Sequence, residues 1–239
     1  MALLSQAAGG NNGNGGITAS ANFNANSQPG SFIVVISHDK GASGPYIVFD
    51  NAGNSYGMGG PNVGYIQVID DASKVVEFGC WILPPGKGGV NTINVNAQAG
   101  NMGKSNVIIM EFSGFQTAAV DQTSLVKETN DAPGTWTSNT INTSALYTDL
   151  LIGSVCIQLG TGVTFTGNSP FLPVIQEVNV LGTLTSLVSY VTDQPAGAYT
   201  YSGTGLVSTN TFASLYAFDE DVSFQGVMSV GCDVAWKFR

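Results

Sequence analysis

The only histidine, His38, is the first residue in this chain that could carry out acid–base chemistry. It stands between Ser37 and Asp39, and serine, histidine and aspartate are the residue types of a hydrolytic triad. Successive residues of a strand point to opposite faces, so His38 and Asp39 would not face the same site. We therefore interpret His38 as a polar loop residue beside a turn and predict no catalytic residue.

A second candidate is Glu111, an acid near the end of the apolar run 107–112. A carboxylate in such a strand must be hydrogen-bonded, so we interpret it as structural, binding the amides of a turn. A glycan hydrolase would need another carboxylate roughly 5 to 9 Å away. The sequence identifies no such partner, and glycan hydrolysis is the least favoured of the functions considered.

Oxygen-bearing side chains occur around two turns, at Asp50, Asn51 and Asn54, and again at Asp70 and Asp71. Calcium prefers oxygen ligands, but this spacing does not follow the EF-hand rule. Aspartate and asparagine are equally typical of turns that bind no ion. We predict no metal site and no cofactor.

Two glycine-containing segments resemble nucleotide-binding loops only in part. Residues 103–105 read Gly-Lys-Ser, but a P-loop would need glycine where Gln98 stands, and the apolar run that follows is typical of a strand. Residues 57–64 lack the order G-x-G-x-x-G of a dinucleotide-binding turn. We interpret the first segment as a hairpin turn and the second as a surface loop available for contacts.

Aromatic side chains offer a different kind of site, a platform on which sugar rings stack. Trp136, within the segment 132–137, and Tyr56 are the candidates for glycan stacking. Aromatic residues of this kind are more often found in a core or an interface. Glycan binding by Trp136 or Tyr56 is therefore an alternative hypothesis.

The charge balance argues against two classes of partner. Seven Lys and Arg residues stand against 16 Asp and Glu residues, for a net charge of −9. Nucleic-acid surfaces need clustered basic residues, and so does docking on anionic lipid. No apolar run approaches the roughly 20 residues of a membrane helix, and residues 1–6 do not read as a secretory signal. We expect neither a nucleic acid nor a membrane as partner.

Cysteine usage is typical of a chain without a disulfide framework. Cys80, Cys156 and Cys232 are odd in number, widely spaced and set in apolar, strand-like surroundings. We predict buried free thiols, in keeping with folding in a reducing compartment.

Composition and periodicity predict an all-β fold. Only 10% of residues are charged, so Asn, Thr, Ser, Gln and Gly must cover the surface, as suits strands and turns. Runs such as 31–37 and 107–112 are typical of strands buried on both faces, and 90–97 alternates apolar with Asn or Thr. We predict an antiparallel, jelly-roll-like β-sandwich of about 10–13 strands, with no internal repeat.

The predicted organisation is one domain with two additions. Residues 1–16 contain the low-complexity stretch AAGGNNGNGG and are expected to form a flexible, Gly/Asn-rich N-terminal arm. Residues 17–239 are expected to form a single β-sandwich domain, of which 226–239 is an added C-terminal strand.

Several motifs resemble a β-sandwich module that is widespread among bacteria and phages, over roughly residues 17–218. These motifs are SFIVVIS at 31–37, VFDNAGNSY at 48–56, FGCW at 78–81, NTINVNA at 91–97, VIIMEFSG at 107–114, DLLIG at 149–153, GVTFT at 162–166 and ASLYAF at 213–218. The resemblance implies a β-sandwich fold and no catalytic residues. Such modules occur in surface-displayed and virion structural proteins.

Together these features predict a non-enzymatic virion structural protein, such as a phage capsid cement, decoration or fibre-type protein assembled in the host cytoplasm. Its expected partners are copies of itself, with a trimer as the working guess, and other virion proteins such as a major capsid protein. The alternative is a carbohydrate-binding or adhesive module at a cell surface, with host-surface glycan as its ligand.

Overall fold

The computed structural model describes residues 2–12, 16–40, 46–56, 65–71, 76–83, 85–97, 103–115, 118–123, 127–128, 134–144, 148–157, 163–178, 184–205 and 211–220. These residues form twenty strands: β1 Leu3–Asn11, β2 Thr18–Asn22, β3 Phe32–Lys40, β4 Tyr46–Asp50, β5 Ser55–Tyr56, β6 Tyr65–Asp71, β7 Val76–Leu83, β8 Thr92–Ala97, β9 Lys104–Ser113, β10 Ala118–Thr123, β11 Lys127–Glu128, β12 Thr135–Thr137, β13 Ile141–Asn142, β14 Thr148–Ile157, β15 Phe165–Gly167, β16 Leu172–Val178, β17 Thr185–Gln194, β18 Ala198–Tyr199, β19 Ser202–Gly205 and β20 Thr211–Glu220.

All the described strands pair antiparallel, and the predicted all-β sandwich is confirmed, but the described residues form 20 strands and the predicted number of about 10–13 is too low. A five-stranded sheet has the order β1-β9-β3-β7-β6, and a six-stranded sheet has the order β10-β20-β14-β17-β16 with β11 beside β20. A four-stranded sheet, β2-β8-β4-β5, a three-stranded sheet, β12-β19-β15, and the pair β13-β18 complete the described strands. No helix in this part of the chain is long and apolar enough to cross a bilayer.

The sheets stack in four layers around three main cores. One core joins the four-stranded to the five-stranded sheet, a second joins the five- to the six-stranded sheet, and a third joins the six-stranded sheet to the small sheets. The five- and six-stranded sheets are therefore buried on both faces, which explains the continuous apolar runs in β3 and β9. In β8, Ile93 and Val95 point inward while Asn94 and Asn96 point outward, as the alternation predicts.

The two halves of the described chain repeat one strand order. The five-stranded sheet and the six-stranded sheet without β11 have the same strand order. The strands that correspond are β1 with β10, β9 with β20, β3 with β14, β7 with β17 and β6 with β16. In the same way β2-β8-β4 becomes β12-β19-β15. Chain order is preserved throughout. The expectation of no internal repeat is therefore wrong at the level of topology.

Two β-bulges fall at matching places in the halves. The ladder of β1 on β9 shifts at Ser5, opposite Phe112 and Glu111, and the ladder of β10 on β20 shifts at Asp121, opposite Phe218 and Ala217. A second shift falls in β6 before Gln67 and in β16 before Ile175. Bulges are specific local features, so their coincidence aligns the halves residue by residue.

The N-terminal segment corrects the expectation of a flexible arm over 1–16. Leu3–Asn11 forms an edge strand paired along β9. Glycine is required there by close packing, because a Cβ at Gly10 would lie 1.9 Å from the carbonyl oxygen of Ser20. The glycine-rich composition reflects this approach of two backbones and does not indicate a tether over these residues.

Some predictions are not tested by the described residues. The added strand at 226–239, the loop at 57–64 and Cys232 lie outside them. The extent of a single domain over 17–239 stays a prediction.

Candidate functional site

Three adjacent strands of the six-stranded sheet bring three carboxylates together. Asp149 on β14 and Asp219 on β20 are direct cross-strand partners, and the bulge of β10 directs Asp121 to the same place. One oxygen from each of the three side chains lies within 4.8 Å of the others. Like charges directly opposite each other destabilise a sheet, so this arrangement needs a compensating interaction.

Asp149 is the most unusual member of the cluster. It is fully buried, and no described residue donates a hydrogen bond in good geometry to either carboxylate oxygen. Burial, the first cause, raises the pKa of Asp149 to about 7, and the charges of Asp121, Asp219 and Glu220 act in the same direction. An ionised carboxylate without donors is costly in such a place.

A short cover of polar groups lies over the cluster. The backbone N–H of Ser144 donates to Asp121 Oδ2 at 2.7 Å. The hydroxyl of Thr143 lies close enough to lower the pKa of Asp149, but it donates its hydrogen to the Pro195 carbonyl at 3.4 Å and makes no well-formed hydrogen bond to Asp149. Burial and, after it, the Asp149 charge raise the pKa of Tyr199.

The matching positions in the first half carry serine. Aligning the bulges and ladders matches Ser5 with Asp121, Ser31 with Asp149 and Ser113 with Asp219. The second half thus has aspartate at all three positions where the first half has serine. The number of residues that separates the two members differs from one pair to the next, so the sequence alone does not align them. The strand registers are needed to find the correspondence.

Glu111 has the structural role that the sequence predicts. Its carboxylate is buried and accepts from the Gln28 backbone N–H at 2.7 Å, from the Ser31 hydroxyl and from Gln6 Nε2 at 2.5 Å. The cleft beside it, lined by Ser31 and Lys87 among others, has a volume of about 40 Å³. That volume suits water rather than a sugar ring.

His38 is not the loop residue expected from the sequence. It lies within β3, fully buried, with Nε2 3.3 Å from Ser154 Oγ, which in turn lies 2.8 Å from Ser214 Oγ. Burial lowers the pKa of His38 to about 3. The prediction failed because β3 continues to Lys40, which carries His38 into the core between the two large sheets.

Both predicted glycan-stacking residues are buried, which corrects that hypothesis. Trp136 is 1% exposed and packs against Tyr201 and Phe165 at centroid distances of 4.6 and 6.2 Å. Tyr56 is 0% exposed and donates to Asp50 Oδ2 at 3.1 Å. Neither ring has a face free for a sugar, because each completes the core of its own half.

The Asp50 turn needs no ion. Asp50 Oδ1 accepts from the backbone N–H groups of Ala52 and Asn54, both at 2.9 Å, and Oδ2 accepts from Asn54 Nδ2 at 2.8 Å. The same turn contains the spacing Gly-x-Ser-x-Gly at 53–57, but β4 and β5 form a hairpin around it, whereas a nucleophile elbow joins a strand to a helix. Side chains of Asp70 and Asp71 lie outside the described part.

The prediction of buried free thiols is confirmed for the two cysteines that the structure describes. Cys80 and Cys156 are free and buried, and burial raises the pKa of both.

The sequence contained partial signals for the acidic cluster. Asp219 belongs to the one run of acids, 219–221, and Asp149 begins the DLLIG motif. Nothing in the sequence joined them to Asp121, because their proximity depends on three strand registers and one bulge.

Comparison with known proteins gives no further guide. No family model, no curated protein and no solved structure matches this chain. The family resemblance described above therefore stays a prediction.

Proposed function

We propose that the protein is a non-enzymatic virion structural protein, a cement, decoration or fibre-type component of a phage particle. The observation that carries the proposal is the strand order of the first half. Its sheets contain β1-β9-β3-β7 and β2-β8-β4-β5, and this order supports the interpretation as an eight-stranded jelly roll with β6 as an added edge strand. The jelly-roll fold occurs in viral capsid proteins, among others.

The repeat supports the same proposal. The second half has β10-β20-β14-β17 and β12-β19-β15 in matching positions, so the chain reads as two jelly-roll-like units packed back to back. In such a stack both large sheets are covered on both faces, as suits a structural component.

The outer face of the four-stranded sheet supports a role in protein contacts. Its outward residues carry no charge, and they are Thr18, Ser20, Asn22, Ile47, Phe49, Thr92, Asn94 and Asn96. Ile47 and Phe49 are 37% and 36% exposed. Interface centres are depleted in charged residues and enriched in aromatic ones, and this face, whose described residues include the exposed Phe49 and no charge, has that character.

Quantitative mass spectrometry of purified, salt-washed virus particles tests the proposal. We expect the protein in the particles at a copy number that is a simple multiple of the particle symmetry. Cosedimentation of the purified protein with particles that lack it should be weakened by Phe49→Asp, while the control Asn22→Asp, on the same sheet face, should have less effect. Absence from washed particles together with no cosedimentation would overturn the proposal.

A further inference from the structure

We propose that Asp121, Asp149 and Asp219 bind one calcium ion, which joins β10, β20 and β14. The inference is independent of the virion role, since it concerns only side chains within one chain. It rests on the spacing of the oxygens, on the burial of Asp149, and on the comparison of the two halves.

The spacing suits a single hard cation. The three oxygens lie within 4.8 Å of one another. Two oxygens bound to one calcium ion at 2.3–2.6 Å can be at most about 5 Å apart, and this limit accommodates the cluster; magnesium demands near-octahedral geometry and gives up its water reluctantly. Calcium also tolerates irregular geometry. The cluster contains only carboxylates, so metals that prefer nitrogen or sulfur are disfavoured.

The burial of Asp149 points to a ligand independently of the clustering. Within the part of the chain that the structure describes, its carboxylate has no donor in good hydrogen-bond geometry, and it is 0% exposed. Buried charges are normally paired or coordinate a metal, and the described residues place no Lys or Arg against this carboxylate. The half-buried side chains of Asp121 and Asp219 leave one side of the cluster open to water, which would complete the coordination of a calcium ion.

An acid–base site is a weaker explanation of the same geometry. A general acid must come within hydrogen-bond reach of its substrate, and Asp149 is 0% exposed. An ion can reach a carboxylate between strands that a polysaccharide cannot.

The first half provides the comparison within the same molecule. Ser5, Ser31 and Ser113 occupy the matching positions, and the buried carboxylate there, Glu111, is held by three donors. In the first half, the buried acid at this end of the ladder, Glu111, accepts three hydrogen bonds. In the second half, three aspartates lie together, and the buried one, Asp149, has no donor in good geometry among the described residues. A cation supplies what the second half lacks.

Calcium titration of the full chain, first dialysed against EDTA, tests the proposal by calorimetry and thermal unfolding. We expect one calcium ion per chain, a Kd of roughly 10⁻⁵–10⁻³ M, and a rise in Tm that magnesium at the same concentration does not match. Asp149→Asn and Asp219→Asn should each weaken calcium binding at least tenfold. The matched control Glu177→Gln, a half-buried acid on β16, should bind calcium as the wild type does.

A second variant keeps the test decisive if Asp149→Asn fails to fold. Asp121→Ser replaces a half-buried ligand by the residue that the first half carries, and it should also lose at least tenfold in affinity. Wild-type protein that shows neither heat nor a Tm shift with calcium would overturn the proposal. Calcium binding that is unchanged in folded Asp121→Ser and Asp219→Asn proteins would overturn it equally, because the ion would then lie elsewhere.

Discussion

At the end of β9 the first half of the molecule holds one buried carboxylate, and at the end of β20 the second half holds a cluster of three. Glu111 is 1% exposed and accepts three hydrogen bonds, while Asp149 is 0% exposed and has no donor in bonding geometry. The ladders and bulges around them match. The difference teaches that a shared backbone does not determine how a buried charge is compensated; that depends on which loop reaches it.

The loop is the physical cause of the difference. In the first half, the segment before β3 brings the Gln28 backbone N–H and the Ser31 hydroxyl onto Glu111. In the second half, the segment before β14 sends the Ser144 N–H to Asp121 instead. The first arrangement is complete without an ion, and the second is not.

Glu111→Ala should have the largest effect on stability. It leaves buried donors unsatisfied, so we expect a loss of about 3–4 kcal/mol in the free energy of unfolding, measured by urea denaturation. The control Glu177→Ala removes a half-buried acid with a hydrogen bond from Asn11 and should cost about 1 kcal/mol or less. Equal losses of unfolding free energy in the two variants would show that the three hydrogen bonds to Glu111 add no more stability than the contacts of Glu177.

Acid should remove the contribution of His38 to stability; its matching position in the second half is Cys156. The folded pKa of about 3 lies below the unfolded value of 6.5, so the unfolded state binds the extra proton between these values. The stability contribution of neutral His38 is full above pH 6.5 and falls by up to about 1.4 kcal/mol per pH unit below it.

His38→Cys tests this acid sensitivity with the residue of the other half. Among the described residues, Ser154 Oγ lies 3.3 Å from His38 Nε2 and 2.8 Å from Ser214 Oγ, and burial raises the pKa of the nearby core thiol of Cys80. Between pH 7 and pH 5 the His38 contribution falls by about 2 kcal/mol, so over this range the stability of the wild type should fall by about 2 kcal/mol relative to that of the variant, whatever the raised pKa of Asp149 adds to both curves. Parallel curves would assign the acid sensitivity to other groups.

Asp149→Asn should change stability in the opposite direction from Glu111→Ala. Without calcium, removing one of three adjacent acids relieves repulsion and an unsolvated charge, so we expect a gain of about 1–2 kcal/mol at pH 8 in EDTA. Chemical denaturation measures it, with Glu177→Gln as the control. A loss of stability in EDTA would mean that Asp149 is already satisfied within the protein.

Ser31→Ala should have the smallest effect of the series. It removes one of the three donors to Glu111 and leaves the Gln28 N–H and Gln6 in place, so a loss of about 1 kcal/mol is expected. The double variant Ser31→Ala with Glu111→Ala should cost little more than Glu111→Ala alone. Additive losses in this cycle would argue against a direct interaction.

The sequence by itself determined the class of fold and the local role of several residues. Low charge and two-residue periodicity predicted the antiparallel sandwich, the continuous runs in β3 and β9 predicted burial on both faces, and Glu111 was correctly expected to bind a turn amide. These features succeed because alternation and local hydrogen bonding operate over a few residues, which is the range that a sequence pattern records.

Only the tertiary structure decided the rest. Trp136 and Tyr56 became core residues, the glycine-rich segment became an edge strand, and Asp121, Asp149 and Asp219 met although their numbers are far apart. Each of these outcomes depends on which strands pair and in which register, and a shift of one residue would turn the same side chains to the other face. Register is a property of distant segments in contact, so the repeat of topology and the acidic cluster appear only once the strands are paired.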